Sequence, residues 1–136
     1  MKPLLVLNFK NFQESTGSNA VQLAKIAEQF AAKNKKFQVV VTPSFPDLPA
    51  VAAVCRKVWV FSQHVDAVEY GAFTGSFPVP LAAKYCTGTL LNHSEKKITA
   101  AVLKKTISLC KKYRLKTLVC ADSITAAKAV ARLSPS

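Results

Sequence analysis

The stretch Gly88–Cys120, GTLLNHSEKKITAAVLKKTISLCKKYRLKTLVC, decides the fold. It opens on a short unbroken apolar run, Gly88–Leu91, and closes on another, Thr117–Cys120. Unbroken apolar runs mark strands buried on both faces, as in parallel sheets, whereas a half-solvated strand alternates. Between them, Lys96–Tyr113 reads as one amphipathic helix. At 100° per residue Lys97, Lys104, Lys105, Lys111 and Lys112 share one side. Ile98, Val102, Leu103, Ile107 and Cys110 share the other. A lysine side of this kind reads first as a solvated outer face. The whole stretch is therefore a strand, a crossover helix and a second strand parallel to the first.

The same alternation extends towards the N-terminus. Leu4–Leu7, Phe37–Val41 and Val58–Phe61 are the other strand candidates, and successive strands start 21 to 33 residues apart. Ser18 or Asn19 offers a cap for Val21–Phe30, whose Leu23, Ile26, Ala27 and Phe30 form one stripe. Pro46-Asp47 opens Leu48–Cys55, and Asp122 is placed to cap Ser123–Leu133. Five such units make either an open doubly wound sheet or part of a closed barrel. Their spacing does not separate the two.

Composition narrows the class. The chain has 136 residues, half of them apolar, which is one domain or part of a larger one with ample core material. Nineteen Lys and Arg against seven Asp and Glu give a formal charge of +12. That charge suits an anionic substrate, a nucleic acid or a membrane surface, and says nothing about fold. Cys55, Cys86, Cys110 and Cys120 form no C-x-x-C pair. With two histidines in the chain, a structural zinc site is not expected. The N-terminal run Leu4–Leu7 is too short for the core of a signal peptide, and no stretch reaches membrane-span length. Free cysteines then point to a reducing, cytoplasmic setting.

In either architecture the working residues lie just past the carboxyl ends of the strands. Asn8-Phe9-Lys10 follows the first strand, and alternation puts Asn8 and Lys10 on the same side. Lys10 suits a phosphate or a developing oxyanion; it is equally a lysine leaving the strand for solvent. Asn92-His93-Ser94-Glu95 follows the fourth strand, with Ser94-x-x-Lys97 opening the next helix. His93 there is a hydrogen-bond donor to a carbonyl, or a satisfied loop residue. His64, after the third strand, carries the same ambiguity. Gly71-Ala72-Phe73-Thr74-Gly75-Ser76 reads as a protruding loop whose aromatic tip suits a partner surface. It is a poor phosphate cradle, since it does not join a strand directly to a helix.

Together these segments resemble the triosephosphate isomerases, in a form nearest the archaeal ones. Asn8-Phe9-Lys10 is similar to the family's Asn-x-Lys, and Asn92-His93-Ser94-Glu95 to its His-Ser-Glu motif. Gly71–Gly75 is similar to its oligomer loop, and Gln63 to a core glutamine. The order and spacing agree along essentially the whole chain. The resemblance implies an α/β fold, the (β/α)8 TIM barrel, of which residues 1–136 supply the first five βα units as the N-terminal portion of a single domain. It implies interconversion of dihydroxyacetone phosphate and glyceraldehyde 3-phosphate through an enediolate, without cofactor or metal.

By the same resemblance Lys10 contacts the phosphate and the enediolate, Asn8 positions substrate, and His93 polarises the carbonyl. Glu95 pairs with Lys10. Phe73, Thr74 and Gly75 form the oligomer interface, Thr74 ordering Lys10 and His93 of a neighbouring subunit. Triosephosphate isomerases are themselves the standard example of a neutral histidine working with a glutamate base.

Two departures stand out. Asn92 replaces a common Gly, and Asp122 stands near a usual Glu. More important, a complete barrel needs about 250 residues. The family's glutamate base follows the sixth strand, and its phosphate loops follow the seventh and eighth. Glu14, Glu28 and Glu69 are misplaced to substitute for the base. The expectation is a part inactive alone, completed by a second chain of roughly 80–110 residues carrying units six to eight, in a homo- or hetero-oligomer. A non-catalytic, self-assembling half-barrel is the alternative. Nucleic-acid binding is remote, because the lysines lack aromatic interleaving and a recognised motif, and no membrane partner is expected.

Overall fold

Val39, Val40 and Val41 are consecutive β-branched residues, a pattern that favours an extended chain covered on both faces. The computed structural model describes residues 2–133 and buries all three completely. Inter-residue contacts divide the chain into two compact units, Met1–Gln63 and His64–Ser136.

In the first unit β1 (Leu4–Asn8), β2 (Gln38–Thr42) and β3 (Trp59–Ser62) run parallel, with β2 between the other two. The register sets Leu4 opposite Gln38 and Asn8 opposite Thr42. Helices α1 (Ser18–Lys33) and α2 (Leu48–Val54) provide the crossovers. In the second unit β4 (Gly88–Leu91) and β5 (Lys116–Val119) are parallel, and Leu91 lies opposite Val119. They are joined by α4 (Ala100–Lys112), preceded by the single turn α3 (Val79–Ala82) and followed by α5 (Ile124–Ala131). Every expected strand is present within one residue of its predicted ends.

The helices depart more. α1 buries Ala20, Ala24, Ala27 and Ala31, and leaves Leu23, Ile26 and Phe30 exposed. Small side chains at this spacing let the helix sit close against β2 and α2, so the bulkier stripe turns outward. Neither Ser18 nor Asn19 caps α1. Gly17 is the cap, at φ 59°, and its N–H donates to Asp47 Oδ1 at 3.0 Å. Ser44 Oγ holds the other carboxylate oxygen at 2.6 Å. α4 begins at Ala100 rather than Lys96, because Thr99 Oγ1 accepts the Val102 N–H and fixes the start there. Val102 is consequently exposed and Thr106 takes a buried place, its hydroxyl satisfied by the Val102 carbonyl. α5 is capped by Ser123, which accepts from the Ala126 N–H, while Asp122 is drawn away to Lys97 at 2.7 Å.

Two elements stay uncovered despite apolar sequences. Leu4, Leu5 and Leu7 of β1 are 39%, 36% and 40% exposed, whereas β2 and β4 are almost wholly buried. α5 buries none of its residues, and Ile124 is 77% exposed. Unbroken apolar strands are built for burial on both faces. β1 presents such a strand without the cover.

Glu28 shows how a charged residue on α1 closes its unit. Its carboxylate accepts the backbone N–H groups of Arg56, Lys57 and Val58 at 3.1, 2.8 and 3.0 Å. Burial pushes this carboxyl up, but the three N–H bonds outweigh that and hold it below its usual value. Glu28→Ala is expected to lower stability by about 1–2 kcal/mol, since hydrogen bonds to a charged group are lost where water partly replaces them. A urea titration checks this. A depressed carboxyl stabilises fully above its unfolded pKa and loses that contribution as pH falls through the folded value. The gap between variant and wild type should therefore close in acid.

Candidate active site

The carboxyl end of β1 is built around Lys10. Its backbone adopts φ 52°, a left-handed conformation that costs a non-glycine residue roughly 1–2 kcal/mol. Neighbouring side chains hold it there. Asn8 Oδ1 accepts the Lys10 N–H at 3.0 Å, and Gln63 Nε2 donates to the Lys10 carbonyl at 2.7 Å. Thr42 Oγ1 donates to the same Asn8 oxygen at 2.9 Å, as the Asn8–Thr42 register allows. Gln63 also reaches the Thr42 carbonyl at 3.3 Å. The Lys10 Nζ lies 5.8 Å from the ring centroid of exposed Phe12, within cation–π range.

Alternation alone put Asn8 and Lys10 on one side of an extended chain. Instead the chain turns at Lys10, and the side-chain oxygen Oδ1 of Asn8 is committed to that turn. Gln63 and Thr42 were not among the expected site residues. Their signal is positional: each is the first polar side chain beyond, or at the end of, an apolar strand.

In the second unit the carboxyl end of β4 turns at Asn92, φ 56°. Asparagine tolerates this region better than most residues. It also adds what glycine lacks: Asn92 Nδ2 donates to the Cys120 carbonyl at 3.1 Å, and its Oδ1 accepts the Ile98 N–H at 3.2 Å. Past this bracket, His93 Nδ1 accepts the Glu95 N–H at 3.2 Å. A ring nitrogen accepting an N–H carries no proton, so the proton of the neutral ring sits on Nε2. The Glu95 carboxylate lies 3.6 Å from the same Nδ1, too long for a hydrogen bond. The segment Ser94–Thr99 between them is a loop, so no helix opens at Ser94.

His64 has a different environment. It is buried, with Nε2 3.5 Å from Asp66 Oδ1. Burial depresses its pKa despite the attraction of Asp66, with Lys96 adding to the depression. A histidine depressed on folding takes up its proton more readily when unfolded, so stability falls as pH drops below about 6.5. His64→Gln should remove that slope. Between pH 7.5 and pH 5 the wild-type melting temperature should fall further than that of the variant.

Cys55, Cys86 and Cys110 are buried thiols; burial pushes Cys55 up to about 11 and Cys110 up to about 12. Cys120, just past β5, is half-buried and also raised by burial. Thiols this reluctant to ionise are packing groups rather than nucleophiles. Phe73 is exposed at the tip of its loop together with Gly71, Ala72, Thr74 and Gly75. Among the described residues, no helix is long and apolar enough to cross a membrane.

The chain is 37% identical over 133 residues to the triosephosphate isomerase of Methanocaldococcus jannaschii, covering 97% of this chain and 60% of that protein. The enzyme of Archaeoglobus fulgidus is 35% identical, with 97% and 59% covered. The chain thus spans about 60% of the length of the curated relatives it matches. The crystal structure of triosephosphate isomerase from Bartonella henselae superposes with a TM-score of 0.79 at 16% identity, over 98% of this chain and 60% of that one. That likeness gives the fold, five βα units of an incomplete (β/α)8 barrel. The family model for triosephosphate isomerase matches residues 3–133. The chain belongs to the triosephosphate isomerase family.

Proposed function

We propose that this chain is the electrophilic part of a triosephosphate isomerase, interconverting dihydroxyacetone phosphate and glyceraldehyde 3-phosphate once the rest of the barrel is supplied. The observation that carries it is the backbone N–H of Glu95 seated on His93 Nδ1. With Nδ1 occupied by the Glu95 N–H, the proton of the neutral ring is on Nε2, where it can be donated to a carbonyl or enediolate oxygen. Lys10 contributes a fixed positive charge to the phosphate and to the enediolate. Asn8, its oxygen engaged by Lys10 and Thr42, fixes the Lys10 turn and offers its amide to substrate.

Removal of a proton α to a carbonyl requires a base, which contributes roughly 10²–10⁴-fold. Glu28 and Glu69 are committed to structural bonds, Glu28 to three backbone N–H groups and Glu69 to Lys112 and Tyr113. By the family resemblance the base belongs to the remainder. In the M. jannaschii relative 133 residues make 60% of the length, so about 90 more lie outside the match. These supply units six to eight and the remaining phosphate contacts, as a second chain or as further sequence joined to this one. The uncovered β1 and α5 support such completion. Phe73, Thr74 and Gly75 meet a neighbouring copy, and the thiols suit a reducing cytoplasm.

An isomerase assay tests this. The 136-residue chain should show no turnover alone, and turnover on mixing with a polypeptide carrying units six to eight. Turnover by the chain alone overturns the proposal. The self-assembling, non-catalytic half-barrel would be favoured if no mixture gains activity.

A further inference from the structure

The loop between β3 and α3 has a tied neck, a braced stem and a bare tip. At the neck Asp66 and Phe77 exchange two bonds: the Asp66 N–H donates to the Phe77 carbonyl at 2.9 Å, and the Phe77 N–H to Asp66 Oδ2 at 2.7 Å. At the stem the Val79 N–H donates to the Val68 carbonyl at 3.2 Å, and Tyr70 Oη to the Pro80 carbonyl at 3.3 Å. The Lys84 Nζ sits 5.5 Å from the Tyr70 ring centroid. Beyond the stem, Gly71–Gly75 are all exposed. Within the tip the Phe73 N–H donates to the Gly71 carbonyl and the Ser76 N–H to the Phe73 carbonyl, both at 3.0 Å. The Phe73 ring folds over Gly71 so closely that a Cβ there would meet its Cε2 at 3.0 Å.

One side chain ties this stem to a long helix. Glu69 accepts from Lys112 Nζ at 2.7 Å and from Tyr113 Oη, both at the C-terminal end of α4. These partners lie 43 and 44 residues away in sequence. An exposed ion pair adds little to global stability. Here it does something else, because it is a side-chain tie between α4 and the residue two positions before the tip. Ordering a loop when it meets a partner costs conformational entropy for every backbone residue fixed. A loop already held in its bound shape meets that cost during folding.

We propose that Glu69 is a positioning residue for the Phe73–Thr74 tip, holding the loop ordered before it contacts a second copy of the chain. The contact itself rests on the oligomer reading above; the bracing of the loop does not.

The experiment compares the full chain with Glu69→Ala and Tyr113→Phe by amide hydrogen exchange at a concentration where the chain is monomeric. Exchange at Phe73 and Ser76 should quicken roughly tenfold in Glu69→Ala and less in Tyr113→Phe. The amides of β4 and β5 should be unchanged. Unaltered exchange at the tip overturns the positioning role. Sedimentation velocity on the same proteins reads the second half, with self-association expected to weaken about five- to tenfold in Glu69→Ala. Faster exchange with unchanged association supports the brace and overturns the tip as the contact. A wild-type chain that never self-associates likewise overturns the contact, and the exchange result then decides the role of Glu69.

Discussion

Lys10→Ala, made in the completed barrel, is expected to lower kcat/KM by about 10³-fold or more while leaving the fold intact. Removal of a single preorganised donor to a developing oxyanion costs about 10²–10³ in kcat, and Lys10 is assigned a second task at the phosphate. The effect should therefore appear in both KM and kcat. The backbone supports the assignment: Asn8, Thr42 and Gln63 hold Lys10 in a left-handed turn that it would not adopt unaided. Strain of this kind persists only where the surroundings over-determine it, and it gathers at functional sites. Lys10→Arg should not rescue, because a planar fork on a longer stem does not replace a compact ammonium. Steady-state kinetics in both directions checks the prediction. A variant with unchanged KM and kcat removes Lys10 from the site.

His93→Ala should lower kcat by about 10²–10³-fold with a smaller change in KM, because its Nε2 proton matters most once charge develops on the substrate oxygen. His93→Gln keeps a donor but has no ring nitrogen to accept the Glu95 N–H, so it should recover only a minor part of the loss. Circular dichroism and melting temperature should be close to wild type in both. Wild-type turnover in His93→Ala would mean that the carbonyl is polarised by another group.

Much of this was legible in the sequence because it depends on local pattern. Gly88–Leu91 matches the expected strand residue for residue, since its short run and place in the strand–helix alternation suit a strand buried on both faces. Asn8, Lys10 and His93 were placed at strand ends because a parallel sheet puts its chemistry there. The α1 stripe differs from its sequence pattern because hydrophobicity ranks Leu23, Ile26 and Phe30 above alanine, while close packing on β2 selects Ala20, Ala24, Ala27 and Ala31. Whether a stripe faces the core depends on what covers it, which lies outside the helix. The sequence offers Asp122 as the cap of α5, but its carboxylate pairs with Lys97 and Ser123 takes the capping place. Gln63 as the support of the Lys10 turn was illegible for a similar reason: 53 residues separate the two, and only the register of three strands brings them into contact.

The uncovered surfaces follow the same logic. β1 and α5 carry apolar residues that the described chain does not bury. An open strand edge beside exposed leucines is a template for further pairing.

The measurement that tests the central claim most directly is the mass of the isomerase-active species, by native mass spectrometry across a chromatographic activity peak. The account predicts that activity travels with about 90 residues beyond this chain, the share its relatives carry outside the match, whether joined to it or bound to it. Activity confined to species of 14.7 kDa or its whole-number multiples would contradict the account. It would mean that the five units hold a base of their own.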